Sequence, residues 1–193
     1  MSPTAILCSY IGIYYINFII SGVLMTVLPI RTIPDPILMR KAKRVRIVDD
    51  SIKKLISDML ETLHAVPGRV GLAAPQIGIS QRVIIISLPS EENDEEKGGD
   101  IVIINPEIVK RFGKRPVDEG CLSIPGYRGE IKRAESVTAK GRDQNGKEIR
   151  IKTGGLLAQA LEHEIDHLNG TLYLDHLEGT NNLRRIEPEE APL

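Results

Sequence analysis

The residue pattern predicts an α+β fold, and three observations carry that reading. Apolar, β-branched runs of strand length stand at 83–88 and 101–104. Two segments of helical character lie far apart, one beginning at Asp49-Asp50 and one at Thr153 or Gly154. Strands and helices do not alternate as βαβ units, so a doubly wound parallel sheet is not expected. No internal repeat or second domain is visible, and 193 residues suffice for a single core.

From the start, residues 5–30 carry no charged side chain. That length satisfies the rule for a membrane helix, but there is no basic leader before it and no small-x-small cleavage site. Two expectations follow for residues 1–24. They are an anchor, with Arg40, Lys41, Lys43, Arg44 and Arg46 holding the following chain in the cytoplasm. Alternatively, they precede the true start at Met25, the more economical account. Pro34-Asp35-Pro36 punctuates the chain, and residues 37–43 are expected as a short helix.

Asp49 or Asp50 is a credible helix N-cap. Ile52, Leu55, Ile56, Met59, Leu60 and Leu63 then fall on one helical face, ending near Pro67-Gly68. His64 at its end reads as a surface residue. Residues 71–78 read as a loop or edge backbone with small side chains, against which an extended peptide can lie by strand addition. Residues 90–99 are a solvated acidic loop. Asn105-Pro106 reads as a break, and 106–118 are mixed and polar. Residues 136–140 and 147–151 read as a hairpin about Asp143-Gln-Asn-Gly146. Past Leu174 the chain turns polar, with 181–193 expected as a tail. The expected division is therefore 1–24, 25–180 and 181–193.

Net charge is −1, which gives no bias toward nucleic acid. Aromatics are sparse and Trp is absent, so the core must be Ile, Leu and Val. The two cysteines are Cys8 and Cys121.

The chemistry concentrates at Leu161-Glu162-His163-Glu164-Ile165-Asp166-His167-Leu168-Asn169-Gly170. This contains His-Glu-x-x-His, and on a helix positions i and i+4 share a face. His163 and His167 can therefore meet one metal ion. Glu164 stands about 100° round the helix from His163, placed to act on water rather than to ligate. The apolar stretch before the motif suits a buried helix, where such polar groups need partners. A catalytic site of this kind wants a third protein ligand. A third histidine in the His-x-x-Gly-x-x-His spacing is excluded, because Tyr173 occupies its place. Glu178 and Glu187 would make a zinc peptidase, but both lie in the polar tail. Cys121, in Glu119-Gly120-Cys121-Leu122-Ser123, offers a thiolate suited to a borderline-soft divalent metal.

Together these residues resemble the peptide deformylases. The family's motifs are similar to Gly71-Leu72-Ala73-Ala74-Pro75-Gln76, to Glu119–Ser123 and to His163–His167, in that order. The resemblance covers roughly residues 25 to 178. One position departs: Arg69 stands where the family usually has Gly.

The resemblance implies small antiparallel or mixed sheets packed around a central metal-binding helix. It implies one Fe²⁺ per chain, replaceable by Zn²⁺ or Ni²⁺, held by Cys121, His163 and His167. Glu164 is implied as general base, with the Gln76 amide and the Leu122 backbone N–H as oxyanion donors. The implied substrates are N-formylmethionyl nascent peptides, met in the cytoplasm with transient ribosome association, although no nucleic-acid or ribosome motif is visible. Val70, Gly71, Leu72, Leu156 and Ala160 are the expected lining for the peptide and its methionine, with Arg128 flanking it. Arg133 is expected to pair with Glu119. A cysteine ligand precludes a disulfide, in keeping with a reducing compartment. The rival readings are the zinc peptidase with a glutamate ligand and a non-enzymatic binder of formyl-peptides.

Overall fold

The computed structural model describes residues 17–20, 23–88 and 99–186. Ten strands, two α-helices and short 3₁₀ turns make up these residues, and every paired strand named here is antiparallel. Strands β1 (Asn17–Ile20) and β2 (Val23–Thr26) pair with each other. A five-stranded sheet runs in the order β3 (Gly71–Ala73), β4 (Val83–Ser87), β5 (Asp100–Phe112), β8 (Ser136–Arg142), β9 (Glu148–Gly154). A three-stranded sheet runs β10 (Leu183–Arg185), β7 (Ile124–Arg133), β6 (Arg115–Cys121).

The helices α1 (Asp50–His64) and α2 (Gly155–Asn169) cover opposite faces of the larger sheet. Side chains alternate along β4: Ile84 and Ile86 pack with Ala158, Leu161, Ile165 and Leu168 of α2, while Val83 and Ile85 pack with Leu55, Ile56 and Met59 of α1. Burial on both faces explains why β4 is a continuous apolar run. A smaller core under the second sheet gathers Leu38, Val117, Ile124, Ile131, Leu172 and Tyr173.

Local chemistry fixes the element ends. Asp49 caps α1, its Oδ1 accepting from the backbone N–H of Ser51 at 3.0 Å and Ile52 at 3.1 Å. The helix stops at His64, short of the expected Pro67-Gly68, because the residue before a proline resists the helical conformation. His64 is exposed and bonds Asp100 at 2.9 Å, as a surface residue should. The α2 helix opens at Gly154 and closes at Gly170, whose φ of 74° suits glycine.

Other expectations are corrected. Residues 37–43 are not one helix: a 3₁₀ turn covers Pro36–Met39, and Ala42 N–H then donates across to Leu168 O at 2.9 Å. Asn105-Pro106 does not end a strand. Asn105 takes φ 53° in a bulge between Ile104 and Glu107, and β5 continues to Phe112. The polar stretch 106–118 is therefore the end of β5 and the start of β6, joined at Gly113-Lys114, since both strands are long and partly exposed. Leu183–Arg185, placed by the sequence in a polar tail, form β10 against Tyr127, Arg128 and Gly129. The hairpin about Asp143–Gly146 forms as β8 and β9. Most of residues 1–24, the acidic loop and Glu187 lie outside the described residues. No helix among the described residues is long and apolar enough to cross a membrane.

Candidate metal centre and active site

The fold brings the end of β6 against the middle of α2. Cys121 ends β6, and His163 and His167 lie one turn apart on α2. Their ligand atoms lie within 4.8 Å of one another, with Cys121 Sγ 3.2 Å from His167 Nε2. A tetrahedral ion with metal–sulfur and metal–nitrogen bonds of about 2.3 and 2.1 Å sets its donors about 3.5 Å apart, which falls within the span of this group. The residues fit a divalent metal, and among the described residues this is the one such group of His, Cys and acid donors.

The surroundings orient His163, whereas His167 Nδ1 is buried without a hydrogen-bond partner among the described residues. Glu119 lies two residues before Cys121 on β6, so both side chains leave the same strand face. Glu119 Oε2 stands 3.1 Å from His163 Nδ1, which leaves Nε2 available to a metal ion. Arg133 clamps Glu119 from β7, with Nη2 donating to Oε2 at 2.8 Å and Nε to Oε1 at 3.2 Å. Both partners are 4 % exposed, so the Arg133–Glu119 pair is a buried ion pair and not a surface one. Arg133 Nη1 also reaches Asp166 Oδ2 at 2.6 Å, which His176 Nε2 meets at 2.8 Å. The i, i+2 spacing of Glu119 and Cys121 signals this support; the Asp166–His176 contact has no local sequence signal.

Electrostatics follow from this burial. Desolvation alone would raise the Cys121 thiol, but the imidazoles of His167 and His163 overcome it and hold the thiol well below its usual range. Burial likewise opposes charge on Glu119, yet His163 and Arg133 hold its carboxyl down at about 2. Glu164 differs: burial pushes its carboxyl up to about 7 against the pull of His163 and His167. Glu164 Oε2 is buried and has no hydrogen-bond partner among the described residues. A basic carboxylate beside a thiolate and two imidazoles suits proton transfer next to a bound cation.

Gln76 completes the cluster. It lies in the 3₁₀ turn Ala74–Ile77 that follows edge strand β3 and is 1 % exposed. Its Oε1 accepts from Ala73 N–H at 2.8 Å, which aims Nε2 toward Ser123 Oγ at 3.3 Å and Cys121 Sγ at 3.7 Å.

A cavity of about 490 Å³ opens beside these groups. Val70, Gly71, Arg128, Leu156 and Ala160 are among its lining residues, and so is Leu122. Leu72 does not: it is fully buried on the opposite face of β3, packed in the α1 core. Alternation along a strand puts Gly71 and Leu72 on opposite sides, which the sequence reading of a loop obscured. Ile30, Ile124, Tyr127 and Gln159 also line the cavity and were missed. They come from separate parts of the chain, and nothing local marks them. Arg128 is held by Asp118, with Nη2 donating to the Asp118 carbonyl at 3.2 Å.

The family model of the polypeptide deformylases matches residues 27–183. This chain belongs to that family. The peptide deformylase of Dehalococcoides mccartyi strain CBDB1 is 51 % identical over 166 residues, covering 86 % of this chain and 95 % of that protein. The Thermomicrobium roseum peptide deformylase is 46 % identical over 86 % of this chain and 94 % of its own length. Among solved structures, that of the Ehrlichia chaffeensis peptide deformylase in complex with actinonin is 45 % identical with a TM-score of 0.75, covering 82 % of this chain and 92 % of that one. The Met-Ala-Ser-bound class I type b enzyme from Acinetobacter baumannii is 32 % identical with a TM-score of 0.73, covering 80 % and 100 %. The α+β deformylase fold expected from the sequence is thus the fold observed. The glutamate-ligand peptidase reading is not supported. Glu178 is exposed and paired with Lys132 Nζ at 2.9 Å, away from the Cys121, His163 and His167 group.

Proposed function

We propose that this peptide deformylase removes the formyl group from N-formylmethionyl peptides at the site built by Cys121, His163, His167, Glu164 and Gln76. The observation that carries the assignment of roles is that Cys121, His163, Glu164 and Gln76 line one cavity beside an edge strand, with His167 grouped behind them beside Cys121 and His163. Cys121, His163 and His167 would hold one ion, Fe²⁺ by family resemblance, with Zn²⁺ or Ni²⁺ as substitutes. Such an ion supplies a Lewis acid and lowers the pKa of water from ~15.7 toward ~7.

The protein's own groups do the rest. The substrate backbone runs extended along the free edge of β3, whose other edge is taken by β4. Its methionine side chain enters between Val70, Leu156 and Ala160, and Arg128 flanks the peptide beyond. Water attacks the formyl carbon, and Glu164 takes the proton. The negative charge on the former carbonyl oxygen meets the Gln76 Nε2 amide and the Leu122 backbone N–H. The carbon–nitrogen bond then breaks, Glu164 returns its proton to the leaving amine, and formate departs.

Residues 25–180, closed by β10, form the catalytic unit, and 1–24 take no part in catalysis. The enzyme works in the cytoplasm with transient access to the ribosome, where formylated chains emerge. Formate release from N-formyl-Met-Ala-Ser, beside a control with unformylated Met-Ala-Ser, tests the reading. Release of formate without cleavage of the control supports it. Cleavage of internal peptide bonds without formate release overturns it.

A further inference from the structure

Five of the seven residues from 40 to 46 are cationic: Arg40, Lys41, Lys43, Arg44 and Arg46. The deformylation site uses none of them. Their segment is extended and pinned to the body of the protein. Ala42 N–H donates to Leu168 O at 2.9 Å, Lys43 N–H to Ser80 O at 3.1 Å, and Arg82 N–H to Lys43 O at 2.9 Å. The Asn105 amide exchanges two hydrogen bonds with the Val45 backbone, at 2.9 and 2.8 Å. Arg142 Nη2 donates to Val45 O at 2.6 Å.

The inward positions are taken by Leu38, Ala42 and Val45, which are 0, 7 and 5 % exposed. The five cations are therefore left on the solvent side, and all are exposed. None of them forms an ion pair among the described residues. An apolar side chain stands in solvent at each end of the run, Met39 at 58 % exposure and Ile47 at 73 %. The chain leading into this segment is uncharged from 5 to 30.

We propose that residues 39–47 form a docking surface for a leaflet of anionic phospholipid. Cations bind the headgroups electrostatically, and an exposed aliphatic side chain at each end enters the boundary with the acyl chains. A phosphate backbone of nucleic acid would account for the cations but not for Met39 and Ile47. Residues 37–48 also contain no aromatic side chain on which a base could stack. The surface crosses the C-terminal end of α2 at Leu168, whereas the cavity takes Leu156, Gln159, Ala160 and His163 from earlier in the same helix. No residue of the docking segment lines the cavity, so docking leaves its mouth open.

Co-sedimentation of the full chain with phosphatidylcholine vesicles, with and without phosphatidylglycerol, tests this. Binding is expected to need the anionic lipid and to weaken as salt screens the charges. R40Q/K43Q/R44Q should lower vesicle partitioning on the order of 100-fold. M39Q/I47Q should lower it as well, and both variants should keep turnover of N-formyl-Met-Ala-Ser. Equal binding to neutral and anionic vesicles overturns the proposal. So does partitioning unchanged in either variant, or binding to duplex RNA that survives M39Q/I47Q in a chain that ignores vesicles. Should the triple variant misfold, salt-independent vesicle binding by the unaltered chain overturns it alone.

Discussion

Gly71 and Glu164 lie so close that a methyl group on Gly71 would sit 2.9 Å from Glu164 Cδ. The glycine is needed here for space rather than for a left-handed backbone. It lets edge strand β3 run directly over the carboxylate proposed as general base. Gly71→Ala should therefore displace Glu164 and lower kcat about 100-fold, the scale of a misplaced general base. Metal content should be unchanged, since the atoms nearest the added methyl all belong to Glu164. Kinetics and metal analysis of the same preparation check this, and unaltered kcat would contradict it.

Arg133 should matter for stability more than any surface cation. It is 4 % exposed and neutralises Glu119 and Asp166 together. Arg133→Met leaves two acidic groups without their cation, and losing one partner of a buried pair costs about 3–5 kcal/mol. Denaturant unfolding should show a lower midpoint with an unchanged slope. A loss under about 1 kcal/mol, the worth of an exposed pair, would contradict this reading.

Tyr173 gives a prediction of opposite sign. Its hydroxyl is buried and has no hydrogen-bond partner among the described residues. Tyr173→Phe should be neutral or stabilise by about 1 kcal/mol, because it removes a desolvated and unpaired group. The hydroxyl's pKa is also pushed up to about 12, first by burial and then by nearby Cys121 and Glu119. A raised pKa means the native state holds this proton longer than the unfolded chain does. The stability tied to it is present below pH ~10 and is lost as pH rises toward ~12. The variant should lose less stability than the parent across that window, as unfolding at several pH values would show.

Much of this arrangement was legible in the sequence, for physical reasons that differ by residue. His163, Glu164 and His167 are placed by helical periodicity alone, and the α1 face from Ile52 to Leu63 is read the same way. Cys121 was a candidate by its thiolate chemistry, and the resemblance singled it out, because nothing local says which distant side chain meets a helix. Leu72 went wrong because a three-residue edge strand followed by a 3₁₀ turn carries too short a pattern to assign sides. The start of β5 was read at 101–104, but its continuation and β6 were hidden because long, partly exposed strands lose their apolar alternation, and Asn105-Pro106 looks like a break when it is a bulge. The Asp166–Arg133–Glu119 chain joins α2, β7 and β6, so only tertiary structure assembles it.

Ala160 tests the pocket. It is 7 % exposed and lines the cavity beside Leu156. Ala160→Leu fills space that the proposal gives to the methionine side chain. Turnover of N-formyl-Met-Ala-Ser should fall about 10-fold or more in kcat/KM, on the scale of a pocket altered by a few methylenes. The loss should be smaller for an N-formylalanyl peptide. Equal losses on both substrates would move the methionine pocket elsewhere.

The central claim is that Cys121, His163 and His167 hold the ion while Glu164 moves the proton. The most direct measurement is bound metal and formate release on one preparation of Glu164→Ala, beside the unaltered chain. The account predicts full metal content with release lowered by about 10²- to 10⁴-fold. Metal lost together with activity would make Glu164 a ligand, and release undiminished would remove it from the reaction; either result contradicts the account.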